Sequence, residues 1–522
     1  MAGPSYSIVE YYPGISKDRC GYCNRSASSN SRYGMDAITM EVEDYQALLD
    51  RGWRRSGCYY YKPRMDQTCC PSYPINCEAL NFKISKSQKK ILKKMGKFLR
   101  NELHKDDMMD TREADRNNID IENPRFHKHP RKTDASSINI KAIHDEVNVG
   151  SQLISSENEK ESNSIIQQEP SQSIPQATSQ SENTQTTSRS LESVEMNPNR
   201  TFCKKAKLIR IERKKAKLLT QGKSQEEIDA MFKKENKQQN QGKSVEELFD
   251  EVFSASNRLK VTLVRTWPMS SQYLSTEKKS HEVYKKYQRI IHGDPEAKLT
   301  LDRYKEFLVI SHLQPWIPEN GPPNGYGAFH QQYWLDDELI AVGVIDILPF
   351  CVSSVYFYYD PAYSFLSLGT FSSLHEVCLT RQLNKTAKDL QYYCMGFYIN
   401  TCPKMRYKAK MKPSKLLCPE TYKWFDAESC IKKLEKEIYC RFNDDIDAVD
   451  QDGIVDIKKV LILYKETIMP FRIYKERARL NGHPVSKEEE EHIKQYAILV
   501  GMKCAQRMLL LPYYLSLSIS LS

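Results

Sequence analysis

Two cysteine pairs stand in the first part of the chain: CGYC, with Cys20 and Cys23, and TCCPSY, where Cys69 and Cys70 are neighbours. A disulfide within the second pair would strain the backbone. Bridges favour Cα separations of about 5.5 Å or more, and consecutive Cα atoms lie about 3.8 Å apart. The adjacent thiolates therefore face a common ligand. A CxxC pair chelates one ion when the chain turns between its members, and Gly21 permits that turn. Four thiolates suit tetrahedral zinc and an iron–sulfur cluster equally well. Cys58 and Cys77 are close enough in sequence to compete as ligands, so spacing leaves the choice of four open. Cys351, Cys378, Cys394, Cys402 and Cys418 have no ligand spacing and read mostly as small core residues.

A second chemistry is electrostatic. In KSQKKILKKMGKFLRNELHK, Ile91, Leu92, Met95, Phe98 and Leu99 share one helical face. Lys89, Lys90, Lys93, Lys94, Lys97 and Arg100 cover much of the rest. FCKKAKLIRIERKKAKLLTQGKS, with Lys204, Lys205 and Arg210, is another basic helix. Each face alone reads as solvated surface; two of them, poor in acids, suit an RNA backbone. GKS occurs at 222–224 and 242–244, but neither copy has the earlier glycine or the preceding strand of a phosphate-binding loop. Ser224 with Glu227 and Ser244 with Glu247 have capping-box spacing and mark helix starts. No nucleotide cofactor is expected.

These groups need elements to position them. The chain has 522 residues, enough for two to four domains. Its net charge of +10 tolerates a polyanionic partner without requiring one. MAGPSYSIVEYY precedes no secretory apolar region, and no run of 18 apolar residues occurs, so no membrane partner is expected. The expected compartment is cytosolic or nuclear, where thiols stay reduced and 15 cysteines do not form a disulfide framework. Composition divides the chain into a cysteine-bearing domain at 1–104 and a Ser-, Gln- and Glu-rich linker at 105–200. The linker has too little apolar surface to fold. A basic helical segment follows at 201–260, a globular domain at 261–508 and an apolar tail at 509–522.

Within the globular part, EVYKKYQRIIHGDP begins as a helix and stops at glycine and proline. GYGAFHQQYWLDDELIAVGVIDILPF reads as a hairpin turning at LDDE. Phe329, Gln331 and Tyr333 point to one side of its first strand, and His330, Gln332 and Trp334 to the other. SSVYFYYDP is a further strand; LGTFSSLHEVCLTRQLNK is a helix with Leu368, Phe371, Leu374 and Cys378 at helical spacing. YYCMGFYI is a strand and CPKMRYKAKMKPSKLLCP a basic loop. Strand, strand, helix, strand is an α/β or α+β layer pattern with mixed pairing, and α+β is the expected class.

CGYC, TCCPSY, FHQQYWLDDELIAVGVIDILP, SSVYFYYDP, YYCMGFYI and CPKMRYKAKMKPSKLLCPETYKWF together resemble the eukaryotic arginyl-tRNA–protein transferases. The likeness covers most of residues 1–100 and 260–440; the linker and the last dozen residues fall outside it. It implies a cysteine-bearing N-terminal domain before a catalytic domain similar to the GNAT acyltransferase fold. It also implies transfer of arginine from charged tRNA to proteins with N-terminal Asp, Glu or oxidised Cys, marking them for ubiquitin-dependent degradation. Cys20, Cys23, Cys69 and Cys70 would be the ligands of an iron–sulfur cluster or zinc.

The chemistry so implied sets recognition tasks. The donor ester is already activated, and an α-amine with a pKa near 7.7–8.0 needs only modest base help. Lys404, Arg406 and Lys408, beside Tyr407, are expected to hold an acidic acceptor side chain. The guanidinium of arginine calls for a carboxylate in forked geometry, for which Asp346 in AVGVIDIL and Asp360 in SSVYFYYDP are candidates. A charge in an apolar strand must be paired, so Asp346 meets either substrate or a structural cation. His330 and Gln332 share a strand face from which they could bond ester or amine; a strand histidine is also often structural. The basic helices are left to contact tRNA phosphates. An acetyl-CoA-type acyltransferase would carry a glycine-rich pyrophosphate loop, whereas PAYSFLSLGTF has one glycine. A metal-stapled, tRNA-binding adaptor without catalysis is the remaining alternative, and a transfer assay distinguishes it.

Overall fold

The computed structural model describes residues 6–18, 20–23, 29–103 and 243–512, with scattered positions between 215 and 227. The expected linker at 105–200 and the cations Lys204, Lys205 and Arg210 lie outside the described residues. The strands are β1 (Ile8–Asp18), β2 (Asn30–Thr39), β3 (Arg54–Ser56), β4 (Tyr59–Pro63), β5 (Tyr73–Glu78), β6 (Leu259–Trp267), β7 (Gly327–Leu335) and β8 (Glu338–Ile347). They continue as β9 (Cys351–Tyr359), β10 (Tyr392–Tyr398), β11 (Ser414–Leu417), β12 (Trp424–Asp426), β13 (Leu461–Tyr464), β14 (Thr467–Pro470) and β15 (Leu509–Leu511). The helices that matter below are α1 (Val42–Asp50), α2 (Lys86–Leu99), α3 (Val245–Ser254), α4 (Ser271–Tyr287), α5 (Leu301–Leu308) and α6 (Leu368–Leu383).

The hairpin expected around LDDE is β7–β8. Asp336 and Asp337 both adopt positive φ, at 47° and 67°, as a two-residue turn matched to strand twist requires. β9 adds antiparallel to β8, and α6 carries the chain over to β10, which lies parallel to β9. These strands belong to an eight-stranded sheet ordered β12-β11-β5-β10-β9-β8-β7-β6. A second sheet of seven strands is ordered β14-β13-β15-β1-β2-β4-β3, with β15 parallel to both its neighbours. Both sheets mix parallel and antiparallel pairs, and the class is α+β. Helices α4 and α6 pack against the larger sheet, and α2 and α3 pack with α6. No helix of the described residues is long and apolar enough to cross a membrane.

The segments 1–104 and 261–508 interleave. β5 sits between β10 and β11, and β1 pairs with β15 through Ile8–Leu509 and Val9–Leu510. The first three residues of the expected tail are therefore a buried strand, not an appendage. Leu509 and Leu511 close a small core with Ile8, Ile38 and Leu463, while Leu510 packs into the main core. β6 crosses the expected boundary at 260 and forms the edge beyond β7.

Helix ends follow the sequence. Ser85 and Gln88 form a capping box on α2, and Ser244 and Glu247 form another on α3. In the separate unit of residues 154–243, Ser224 and Glu227 exchange the same pair of bonds. On α2, Leu92, Met95 and Leu99 are buried and Ile91 and Phe98 half-buried. Truncating one such buried leucine to alanine costs about 2–5 kcal/mol.

The parallel strands β9 and β10 pair only where Tyr392–Cys394 meets Cys351–Ser353. Past Cys394, β10 bulges, with Gly396 at φ 69°. A left-handed residue inside a strand bends it away and favours glycine. The carboxyl-terminal halves of two parallel strands thus separate, which is where α/β layers place their ligands.

Candidate active site

The loop after β1 and the segment before β5 carry the four cysteines. The sulfurs of Cys20, Cys23, Cys69 and Cys70 all lie within 4.8 Å of one another, with Cys23 and Cys69 at 3.4 Å. Cys20 and Cys70 are buried, whereas Cys23 and Cys69 are half-buried. The amide of Tyr22 donates to Cys20 Sγ at 3.3 Å. The hydrogen bond from Cys70, together with local amides, overcomes burial and brings Cys20 down to about 5. The same contact pushes Cys70 up, and burial takes Cys69 to about 11. Four thiolates around one tetrahedral ion at about 2.3 Å stand about 3.8 Å apart, so the set fits a metal. The rivals Cys58 and Cys77 do not join it; among the described residues only these four His, Cys, Asp or Glu side chains converge this way. The cluster packs on Ile399, Cys402 and Met405, just beyond β10.

Beside it lies a cavity of about 100 Å3 where β9 and β10 separate. Met405 and Tyr22 line both the cluster and the cavity. β3 contributes Arg54 and Arg55, α6 contributes Ser372, Ser373 and Glu376, and the 3-10 segment Pro403–Lys410 contributes Tyr407 and Lys408. Glu376 is the one carboxylate among the lining residues. Its Oε1 accepts from Ser372 at 2.8 Å, and its buried Oε2 has no hydrogen-bond partner. Burial pushes Glu376 above the usual carboxylate range, opposed by the hydroxyls of Tyr393, Ser372 and Ser354.

The cations of the cavity differ in what they have left to offer. Arg54 Nη1 donates to the carbonyls of Leu49 and Trp53, and its Nε and Nη2 are buried without hydrogen-bond partners. Arg55 gives Nε and Nη2 to Asp346 at 2.8 and 2.5 Å. Burial works against its charge, Asp346 overrides that, and the guanidinium holds its proton more tightly than usual. Lys408 donates to the Phe397 carbonyl at 2.8 Å, and burial, helped by Arg54, brings it to about 7.

The expected site residues scatter. Tyr407 and Lys408 line the cavity; Lys404 and Arg406 do not, and exposed Arg406 bonds the Asn400 carbonyl. Of the two partners left open for Asp346, the structure supplies the cation: both its oxygens are held by Arg55 in a wholly buried pair. Asp360 accepts from Lys286 at 2.6 Å and caps the Ala362 amide, so it too is spoken for. His330 and Gln332 do share a face, but it is the one toward α4 and α5. His330 Nε2 meets the Leu308 carbonyl at 3.1 Å, and Gln332 donates to Thr276 at 2.8 Å. Burial takes His330 to about 4, which keeps it neutral. Lys90, Lys93 and Lys97 are exposed on α2, with Lys89 and Lys94 half-buried.

Glu376, Arg54 and Arg55 escaped the sequence reading. The signal for Glu376 is a polar stripe, Ser372, Ser373, Glu376 and Thr380, on a helix whose Phe371, Leu374 and Val377 are also buried. Polar residues at i, i+4 and i+8 on a helix covered all round mark a buried site.

Comparison with known proteins gives this arrangement its class. A family profile described as "Arginine-tRNA-protein transferase, C terminus" matches residues 279–418, and one described as "Arginine-tRNA-protein transferase, N terminus" matches residues 18–90. Arginyl-tRNA–protein transferase 1 of Drosophila melanogaster is 38% identical over 536 residues, spanning 97% of this chain and 99% of that protein. Arginyl-tRNA–protein transferase 2 of Arabidopsis thaliana is 32% identical over 465 residues, spanning 82% and 76%. A shorter match, 36% identical over 85 residues, links 16% of this chain to 34% of an aspartate/glutamate leucyltransferase of Campylobacter jejuni. The chain is thus an aminoacyltransferase whose donor is a charged tRNA. It belongs to the arginyl-tRNA–protein transferase family.

Proposed function

We propose that this chain moves arginine from arginyl-tRNA onto the α-amine of protein N-termini bearing Asp, Glu or oxidised Cys, and that the product enters ubiquitin-dependent degradation. The carrying observation is Arg54, whose Nε and Nη2 are buried at the cavity with no hydrogen-bond partner. Unpaired buried donors are costly, and an acidic side chain would satisfy both in forked geometry. Lys408 adds a second cation when protonated. The name of the Campylobacter relative, an aspartate/glutamate leucyltransferase, points to the same acceptor residues.

In the reaction the α-amine nitrogen attacks the ester carbonyl of the donor. A C–N bond forms, the C–O bond to the terminal ribose breaks, and the amine proton passes to the ribose oxygen. Products are an amide and uncharged tRNA, with no oxidant or nucleotide consumed. Arg54 and Lys408 hold the acceptor so that its amine reaches the ester, which is catalysis by positioning. The exposed lysines of α2 supply phosphate contacts. Cys20, Cys23, Cys69 and Cys70 would hold one metal ion, and their compactness favours a single tetrahedral centre such as zinc. When bound, that ion acts as a structural staple on the wall formed by Ile399 and Met405. Charged tRNA and reduced thiols together favour the cytosol or nucleus.

The test is transfer of labelled arginine from charged tRNA to peptides beginning with Asp or Gly. Label on the Asp peptide alone, lost in an Arg54→Met variant, is expected. Equal labelling of both peptides, or none with the wild-type chain, would overturn the acceptor rule.

A further inference from the structure

A transferase of this kind must tell arginine from other amino acids, and the candidates for that role narrow to one side chain. This step rests on the transferase reading above. Asp346 is held by Arg55 through both oxygens, and Asp360 by Lys286. Glu376 is 1% exposed and lines the cavity, and its Oε2 has no partner in hydrogen-bond geometry, although the Tyr393 and Ser354 hydroxyls lie near the carboxyl. Its other oxygen is fixed by Ser372, whose hydroxyl also meets Tyr333 at 3.0 Å. Gly343 on β8 makes room: a Cβ there would stand 3.3 Å from Oε1 and 3.6 Å from the Ser372 hydroxyl. Phe357, Tyr393 and Tyr407 give the cavity aromatic walls. Aromatic faces stack on planar guanidinium groups.

We propose that Glu376 is the specificity-determining residue for the donor: its free Oε2 receives the guanidinium of the arginyl group. The cavity then sorts its two substrates by charge, the cationic donor side chain at α6 and the anionic acceptor side chain at β3. Burial holds the lone carboxyl above its ordinary range; an arriving guanidinium supplies the counter-charge that ionises it. A neutral side chain of the same length can still donate a hydrogen bond but brings no counter-charge to the buried carboxylate, so it gains less at this position.

The experiment compares arginyl-tRNA with the same tRNA carrying citrulline, which is neutral and nearly the same shape. Wild-type chain is expected to favour arginine. Glu376→Gln is expected to narrow that preference by about 10- to 100-fold, the span of a charge-assisted hydrogen bond, with tRNA affinity unchanged. Parallel loss of both donors, with the acid limb of the pH profile removed, would make Glu376 a proton acceptor and overturn the proposal. A preference untouched by the substitution would overturn it as well. Should Glu376→Gln fail to fold, Gly343→Ala presses on the same carboxylate without removing it and is expected to weaken arginine preference. Calorimetry with arginine methyl ester and citrulline methyl ester separates this inference from the reading beneath it. Selective binding of the arginine ester that depends on Glu376 supports the inference even in a chain that transfers nothing. Equal binding of both esters by wild-type chain would sink the inference while leaving transfer intact.

Discussion

Arg55 on β3 and Asp346 on β8 form a two-bond ion pair, at 2.8 and 2.5 Å, from which solvent is excluded. The pair joins the smaller sheet to the larger one across 291 residues of sequence. It also fixes one wall of the cavity, since Arg55 lines it and Asp346 does not.

Removing one member leaves the other charge buried and unpaired. Asp346→Leu should therefore destabilise the chain by about 3–5 kcal/mol, and Arg55→Met by a similar amount. The double variant Arg55→Met/Asp346→Leu should recover most of that loss. Urea denaturation of the four proteins completes the cycle. A double variant as unstable as the sum of the singles would show that the pair is not a closed unit.

Lys408 ties activity to pH. Burial, with Arg54 next, brings it to about 7, so it is cationic below that value and neutral above it. The acceptor amine becomes neutral on the way past about 7.7–8.0. The two requirements oppose each other, and kcat/KM for an Asp peptide should be bell-shaped. Lys408→Met should flatten the alkaline rise in KM. Stability follows the same proton. The folded pKa lies below the unfolded one, so between about 7 and 10.5 the unfolded chain binds the extra proton and stability rises with pH. Denaturation at pH 7 and 9 should show that rise in wild type and less of it in Lys408→Met.

What the sequence makes legible is what it encodes locally. The β7–β8 hairpin shows in alternating residues around Asp336–Asp337, and α2 in its apolar stripe. The cysteine pairs are legible in their spacing, but the convergence of Cys20, Cys23, Cys69 and Cys70 rather than Cys58 or Cys77 is not. The interleaving of the two sheets has no such signature, because β1 finds β15 some five hundred residues away. Asp346 shows why burial misleads: a charge in an apolar strand demands a partner, and the sequence does not say whether that partner is substrate or Arg55. Glu376 was hidden for the opposite reason. It sits among Ser372, Ser373 and Thr380, on a helix face that reads as ordinary polar surface until both sides prove buried.

Lys90, Lys93 and Lys97 project from α2 on the face opposite Leu92, Met95 and Leu99. Reversing all three to glutamate should leave thermal stability nearly unchanged, because exposed charges contribute little to folding. Affinity for tRNA should fall, and the slope of log affinity against log salt should drop by about one for each phosphate no longer neutralised. Filter binding across a salt series reads this directly. An unchanged slope would remove α2 from the RNA surface and leave the phosphates to other cations of the chain.

The cysteine cluster makes the last prediction. Its thiolates converge on one point, and its far side rests on Ile399, Cys402 and Met405, while Met405 and Tyr22 also face the cavity. A metal there would hold loop and wall together without touching the substrates. Serine at Cys20, Cys23, Cys69 or Cys70 should each reduce bound metal from about one equivalent to a small fraction, whereas Cys58→Ser should not. Transfer should fall with metal content, and thermal stability should fall with it, since ligation energy is folding energy. Acid should release the metal, because the ligands bind as thiolates. Elemental analysis beside a transfer assay checks both. If full activity persisted after chelation, with the metal gone, Met405 and the β10 wall would be holding their place by packing alone.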